Sequence, residues 1–264
     1  MTDESAAVRR RIRLGEWTGP TAGLAPGFAQ ANLVVVSDAL ADDFETFCRR
    51  NPHALPLLER TPSGSPIPTA LAPTADLRTD LPRYRLYRDG RLLEEPTDIV
   101  TLWRRDSVAF LIGCSFSFDA LLREHGIRVR HLDVGCNVPM YETNRPARPA
   151  GPFAGPLVVS MRPLRAADVD RVVELTSELP DAHGGPIHVG PPVELGITDL
   201  AFPDYGDPVP IDSGEVPAFW ACGVTALASA VHGRISRMIT HAPGHMFVTD
   251  RRVDPTVSRT EERK

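Results

Sequence analysis

Two segments of this chain share one pattern, and the pattern limits what it can become. Val108 to Ile112 is an apolar run that breaks at Gly113-Cys114-Ser115 and continues as a helical stretch, Phe118 to Glu124, closed by Gly126. Ala218 to Ala221 likewise runs into Cys222-Gly223 and a second helical stretch, Thr225 to Val231. Strand, small-residue turn, helix is the working unit of α/β architecture, and such turns are common ligand sites. The remaining segments fit that class. A short basic helix and a Gly/Pro-rich arm occupy residues 1–28, and Leu33 to Val36 reads as a strand. Ser37 starts a helix with Leu40, Phe44 and Phe47 on one face, stopped by Asn51-Pro52. Residues 61–82 form a proline-rich connector, and Asp89-Gly90 joins Tyr84–Tyr87 to Arg91–Leu93 as a hairpin. Strands are expected at Ile127–Val134, Leu157–Met161, Ile187–Val189, Ile235–Thr240 and Met246–Thr249, with a helix around Ala166–Thr176 and a charged, frayed tail over 251–264.

The expected fold is therefore mixed α/β, two interlocked lobes of mixed sheets with helices packed on them. One lobe takes residues 1–130 with 221–264, and the other, a smaller α+β insertion, takes 131–220. With 264 residues there is material for a sizeable core. No apolar run approaches the roughly 20 residues that span a bilayer, and no apolar signal core follows Arg9 to Arg13. The expected location is cytoplasmic, without a membrane partner. A net charge of −5 argues against nucleic acid. Lys264 is the single lysine, so 28 of the 29 basic residues are arginine, the better grip for a carboxylate. Cys48, Cys114, Cys136 and Cys222 lack the spacing of a zinc ribbon or a disulfide framework.

Residues of special geometry or reactivity concentrate in the turns. Cys114 is either a nucleophile at a helix N-terminus or a small residue filling a tight turn, and Cys222 has the same two readings. The backbone of Ser115 to Ser117 is placed to attract a carboxylate. His183 and His188 flank Gly184-Gly185-Pro186 as acid/base candidates. Their spacing also suits two metal ligands, with Asp204, Asp207 or His245 completing a set, and either could instead bond a loop carbonyl. His241 and His245 bracket Pro243-Gly244 with similar options. Arg162, before Pro163, is a clamp for a substrate carboxylate or the partner of Glu215 or Asp204. Asn137 and Tyr141 offer neutral donors, or are a turn residue and half-buried core respectively, and Glu215 is a candidate base or a surface carboxylate. The turns at Cys114–Phe118, Asn137–Thr143, His183–His188 and His241–His245 are expected to meet in one cleft.

The motifs in this order resemble the D-glutamate cyclase family, whose members carry hydro-lyase names. The resemblance runs from about Gly27 to Asp250 and includes Phe47-Cys48-Arg49-Arg50-Asn51-Pro52, Arg78-Thr79-Asp80-Leu81-Pro82-Arg83-Tyr84 and Glu95-Pro96-Thr97-Asp98-Ile99. The chain departs from the family pattern at Pro191, where a polar residue is usual, and at Ala226, where a proline is usual. The resemblance implies closure of glutamate to 5-oxoproline with loss of water, on a small acidic metabolite. No cofactor is expected, and the absence of G-x-x-x-x-G-K-[ST] agrees with chemistry that uses no ATP. The rival readings are a metal-assisted hydro-lyase acting on another small carboxylate and a carboxylate-binding regulator without catalysis. A homo-oligomer is compatible with all three.

Overall fold

The computed structural model describes residues 3–253. In chain order the elements are α1 (Asp3–Arg13), β1 (Phe28–Ser37), α2 (Asp38–Arg50), β2 (Leu57–Arg60), β3 (Tyr84–Arg88), β4 (Arg91–Glu94), β5 (Ser107–Gly113), α3 (Phe116–Glu124) and α4 (Arg130–Val134). They continue with β6 (Met140–Pro146), β7 (Pro156–Arg165), α5 (Val169–Ser177), β8 (His188–Val189), β9 (Glu215–Ala221), α6 (Thr225–His232), β10 (Met238–His241) and β11 (Phe247–Arg252).

The strands form a seven-stranded sheet in the order β2-β5-β1-β10-β3-β4, with β11 also on β1, and a four-stranded sheet in the order β6-β7-β9-β8. The fold is mixed α/β. Both sheets are antiparallel throughout rather than mixed, because α3 carries the chain away to the second sheet and α6 returns it to β10, antiparallel to β1. β1 is the spine of the larger sheet. Its Val34 and Val36 join Phe44, Phe110, Val158 and Ala228 in a core built from both sheets, α2 and α6, while Leu33 and Val35 face a second core on the other side.

Several expectations need correction. Ile127 to Val134 is no strand: Ile127 and Val129 plug a core beside Phe118 and Trp220, and the chain then winds into α4, ended by left-handed Gly135. The turn motif from Met140 onward is instead strand β6, at the edge of the smaller sheet. β7 runs on past Arg162, because Pro163 stands opposite Pro217 and two residues lacking N–H groups face each other across the ladder. Of the expected tail, Arg251 and Arg252 complete β11, and residues 254–264 lie outside those described. No helix among the described residues is long and apolar enough to cross a membrane.

Candidate functional site

The last residue of β5 is a glycine for a steric reason. A Cβ on Gly113 would lie 1.6 Å from the carbonyl oxygen of Asp181, so the 3-10 turn Pro180–Ala182 rests directly on the strand end. That contact sets His183 beside the Cys114 turn. His183 takes a left-handed conformation (φ 78°), uncommon outside glycine and held here by its surroundings. Its ring is buried, with Nδ1 2.8 Å from the carbonyl of His53. A carbonyl only accepts, so Nδ1 carries the proton and Nε2 keeps its lone pair. Burial, with Arg162 as a lesser contributor, lowers the pKa of His183 to about 4. At neutral pH the ring is an uncharged base.

Arg162 comes from the opposite sheet and is also buried. Its Nε donates to Asp119 Oδ1 at 2.9 Å, Nη2 to Ser115 Oγ at 3.1 Å and Nη1 to Ser160 Oγ at 3.3 Å. The guanidinium packs against two adjacent aromatic rings, 4.8 Å from the centroid of Phe118 and 5.4 Å from that of Trp220. On the far side of Asp119, His131 Nε2 lies 3.1 Å from Oδ2, its ring stacked on Phe116. Burial alone would raise the Asp119 pKa, but the Arg162 charge and the contacts from His131 and Arg162 outweigh it and lower the carboxyl below its ordinary value. The result is an imidazole–carboxylate–guanidinium chain across the first turn of α3.

This chain changes the reading of the helix N-terminus. The first amides of α3 are already engaged, Ser117 N–H to the Cys114 carbonyl at 3.0 Å and Phe118 N–H to the Ser115 carbonyl at 3.1 Å, while Phe116 N–H faces Cys114 Sγ. The anion at this end of the helix is Asp119, one turn in. Ser117 acts as a brace, its Oγ accepting from Gln30 N–H at 3.0 Å. Both cysteines are buried thiols close enough to affect one another. Burial pushes Cys114 up strongly and Cys222 to about 11, so neither rests as a thiolate.

Asn32 completes the floor. Its Nδ2 donates to the Gly113 carbonyl at 2.7 Å, and its amide lies against Gly223, where a Cβ would sit 2.3 Å from that nitrogen. Asn137 occupies a neighbouring position. It is buried, its Nδ2 reaches the Pro243 carbonyl at 3.3 Å, and its Oδ1 has no donor among the described residues. The Thr21 N–H on the Gly244 carbonyl and Gln30 Nε2 on the Thr21 carbonyl link that corner back to Ser117.

Of the residues singled out in the sequence, Cys114, Ser115, Ser117, Arg162, His183 and Cys222 thus gather around the N-terminus of α3. Others do not. Glu215 starts β9, at the end opposite Cys222, where it accepts from Arg130 at 2.6 Å and has no bond to Arg162. Tyr141 and His188 lie on the other face of the smaller sheet, with Tyr141 OH on the Leu200 carbonyl and His188 Nε2 on that of Pro191. His241 Nδ1 sits 3.2 Å from Leu33 N, and burial lowers its pKa to about 4. His245 Nδ1 is held at the Pro243 carbonyl. The proposed metal set is dispersed: Asp204 accepts from Glu142 N–H, Asp207 from Asn137 N–H, and no three His, Cys, Asp or Glu residues gather as ligands among the described residues.

Asp119, His131, Asn32 and Gln30 were not singled out. Gln30 and Asn32 had a visible signal, since two alternate polar residues interrupt the inward face of an otherwise apolar strand.

Comparison with known proteins converges on one family. A family model described as D-glutamate cyclase matches residues 108–250, which hold Asp119, His131, Arg162 and His183. A relative from Rubrobacter xylanophilus with a provisional hydro-lyase name is 58% identical over 248 residues, 94% of this chain and 96% of its own. Similarly named relatives from Bacillus licheniformis (57% over 243 residues, covering 92% of this chain and 93% of theirs) and Stutzerimonas stutzeri (58% over 247, 94% and 93%) agree. Among solved structures, a nitrogen repressor-like protein from Methanococcus jannaschii covers 94% of this chain and 99% of its own, at 6% identity and a TM-score of 0.39.

Proposed function

This chain belongs to the D-glutamate cyclase family of carbon–oxygen lyases, and we propose that it closes D-glutamate to 5-oxo-D-proline with loss of water. The observation that carries the proposal is the meeting of a buried cation and an uncharged imidazole base at one helix terminus, inside the segment matched by the family model.

The chemistry asks for those two groups. The amino nitrogen attacks the side-chain carboxyl carbon, a C–N bond forms, and a C–O bond breaks. The ammonium gives up two protons and the departing oxygen takes two, so the reaction consumes no net proton and a single shuttle can serve both ends. His183 Nε2 holds the lone pair for that task. The buried Arg162 guanidinium draws negative charge as the tetrahedral oxyanion develops, in a site where a charge-assisted bond is strong. Ring closure is intramolecular, so holding the chain folded supplies much of the rate, and the proposed reaction uses no nucleotide.

The test is direct. Purified protein without ATP should convert D-glutamate to the lactam, with loss of primary amine matching gain of 5-oxoproline. L-glutamate should react more slowly, because inversion at the α-carbon misplaces either the amine or the carboxylate. No lactam from either enantiomer, with and without added divalent metal, would overturn the proposal.

A further inference from the structure

An open cleft of about 610 Å³ lies where the β3–β4 turn meets the end of α6, a volume ordinary for a small-molecule site. Arg88, Asp89, Arg91 and Arg234 line it, with Leu93 and Val231 as apolar wall. The two elements touch closely: a Cβ on Gly90 would lie 2.6 Å from the Val231 carbonyl oxygen. The eight residues of α6 place the cleft about 12 Å along the helix from the Cys222 turn and the candidate site.

Two local rules are broken here, both in favour of positive charge. Arg88 and Arg91 stand directly opposite each other across the hairpin, and like charges at that spacing repel. Arg234 takes a left-handed conformation (φ 47°) at the position just past α6 where glycine is usual. The bonds around it are those of a glycine cap, Arg234 N–H to the Val231 carbonyl at 3.3 Å and Ile235 N–H to the Ala230 carbonyl at 3.1 Å. Gly233 serves a different end, since a Cβ there would lie 2.2 Å from the Pro152 carbonyl oxygen. Strain of this kind, kept without a gain in packing, marks functional positions.

The negative end of the α6 dipole accounts for one cation at this place but not for three. None of the three arginines has an ion pair among the described residues, and Asp89 leaves two positive charges in excess. Burial and the charges of Arg104 and Arg88, opposed by Asp106, lower the pKa of Arg237, so positive charge is crowded on this flank. The chain as a whole carries −5.

We infer that this cleft binds a small phosphorylated metabolite, its phosphoryl oxygens held by Arg88, Arg91 and Arg234. A guanidinium fork matches phosphate oxygens in a two-pronged way. A tetrahedral phosphoryl group presents oxygens to three forks at once, whereas a carboxylate offers two oxygens in one plane. Leu93 and Val231 are placed to cover the organic part. The site is separate from the reaction proposed above and does not depend on it.

Inorganic pyrophosphate is the probe, with glutarate as the dicarboxylate contrast. Calorimetric titration of the full chain in metal-free buffer at about 0.15 M salt should show saturable binding of one pyrophosphate, with glutarate about tenfold weaker or more. Arg88→Gln should weaken pyrophosphate about tenfold or more, and Arg171→Gln, an exposed arginine on α5, less than about twofold. Arg234→Gly separates binding from folding. It relieves the left-handed strain, so it should melt no lower than wild type and still bind about tenfold more weakly. Absence of saturable pyrophosphate binding would overturn the inference. So would glutarate binding as tightly, wild-type affinity in Arg88→Gln or Arg234→Gly, or an equal loss in Arg171→Gln, which would mean diffuse charge alone. Lactam formation from D-glutamate is read in a separate assay, so either claim can fail while the other stands.

Discussion

Arg162 is held at a depth where charge is costly, and Asp119 offsets that cost. Removing one member of a buried pair strands the other, at about 3–5 kcal/mol. Asp119→Asn should therefore lower the unfolding free energy by about that amount in a denaturant titration, whereas Arg60→Gln, at the protein surface, should change it by about 1 kcal/mol or less. The histidines give a second residue-level prediction, in pH. His183 and His241 are protonated near 6.5 when unfolded but only near 4 when folded. Between those values the unfolded chain binds more protons, so stability is complete above about 6.5 and falls as pH drops toward 4. The slope in that window should approach about 1.4 kcal/mol per pH unit for each histidine. His241→Asn, away from the candidate site, should flatten it by one histidine's share in chemical denaturation at pH 5 and 7. An unchanged slope would mean the ring is not kept neutral. At this scale the sequence was partly legible. Cys114, Ser115, Arg162 and His183 stood out because reactive types sat in or beside turns, although Arg162 proved to lie inside its strand. Asp119 and His131 did not stand out, because their meaning depends on Arg162, 43 residues beyond Asp119 and on a strand of the smaller sheet.

Among the elements, Gly113 is where strand geometry becomes site geometry. Gly113→Ala would put a Cβ where the Asp181 carbonyl now stands, and the backbone on both sides leaves little room to yield. The turn Pro180–Ala182 should shift by an ångström or more, carrying His183 with it. A displacement of that size commonly costs about 10²-fold in turnover, so Gly113→Ala should lose activity well beyond its loss of stability. Gly126→Ala is the control: no atom lies within 4 Å of the added Cβ, so it tests only the cost of a positive φ. The elements legible in sequence were those whose local signals and burial agree: α2 with its one-sided apolar face, the Asp89-Gly90 hairpin, and the two strand–turn–helix units. The illegible ones were decided by tertiary contacts. Ile127 and Val129 have the side chains of a strand, yet among the described residues no strand pairs with them, and they fill the core between α3, α5 and the smaller sheet instead. β6 was hidden by polar and proline residues that an edge strand tolerates.

Across the whole molecule, the two sheets carry different loads. The larger sheet contributes Asn32 and the Cys114 turn, the smaller contributes Arg162 and Ser160, and α3 crosses between them with Asp119. The candidate site is thus an inter-sheet structure, which explains why no single segment announced it. Its central claim is that Arg162 and His183, meeting at α3, drive lactam formation without a nucleotide. The most direct measurement follows D-glutamate labelled with ¹³C at the side-chain carboxyl by NMR, with wild type, His183→Gln and Arg162→Met, each checked for folding by its melting curve. The wild-type signal should move from carboxylate to lactam carbonyl, and both variants should slow that conversion by about 10²-fold or more. Folded variants that convert the label at the wild-type rate would contradict the account.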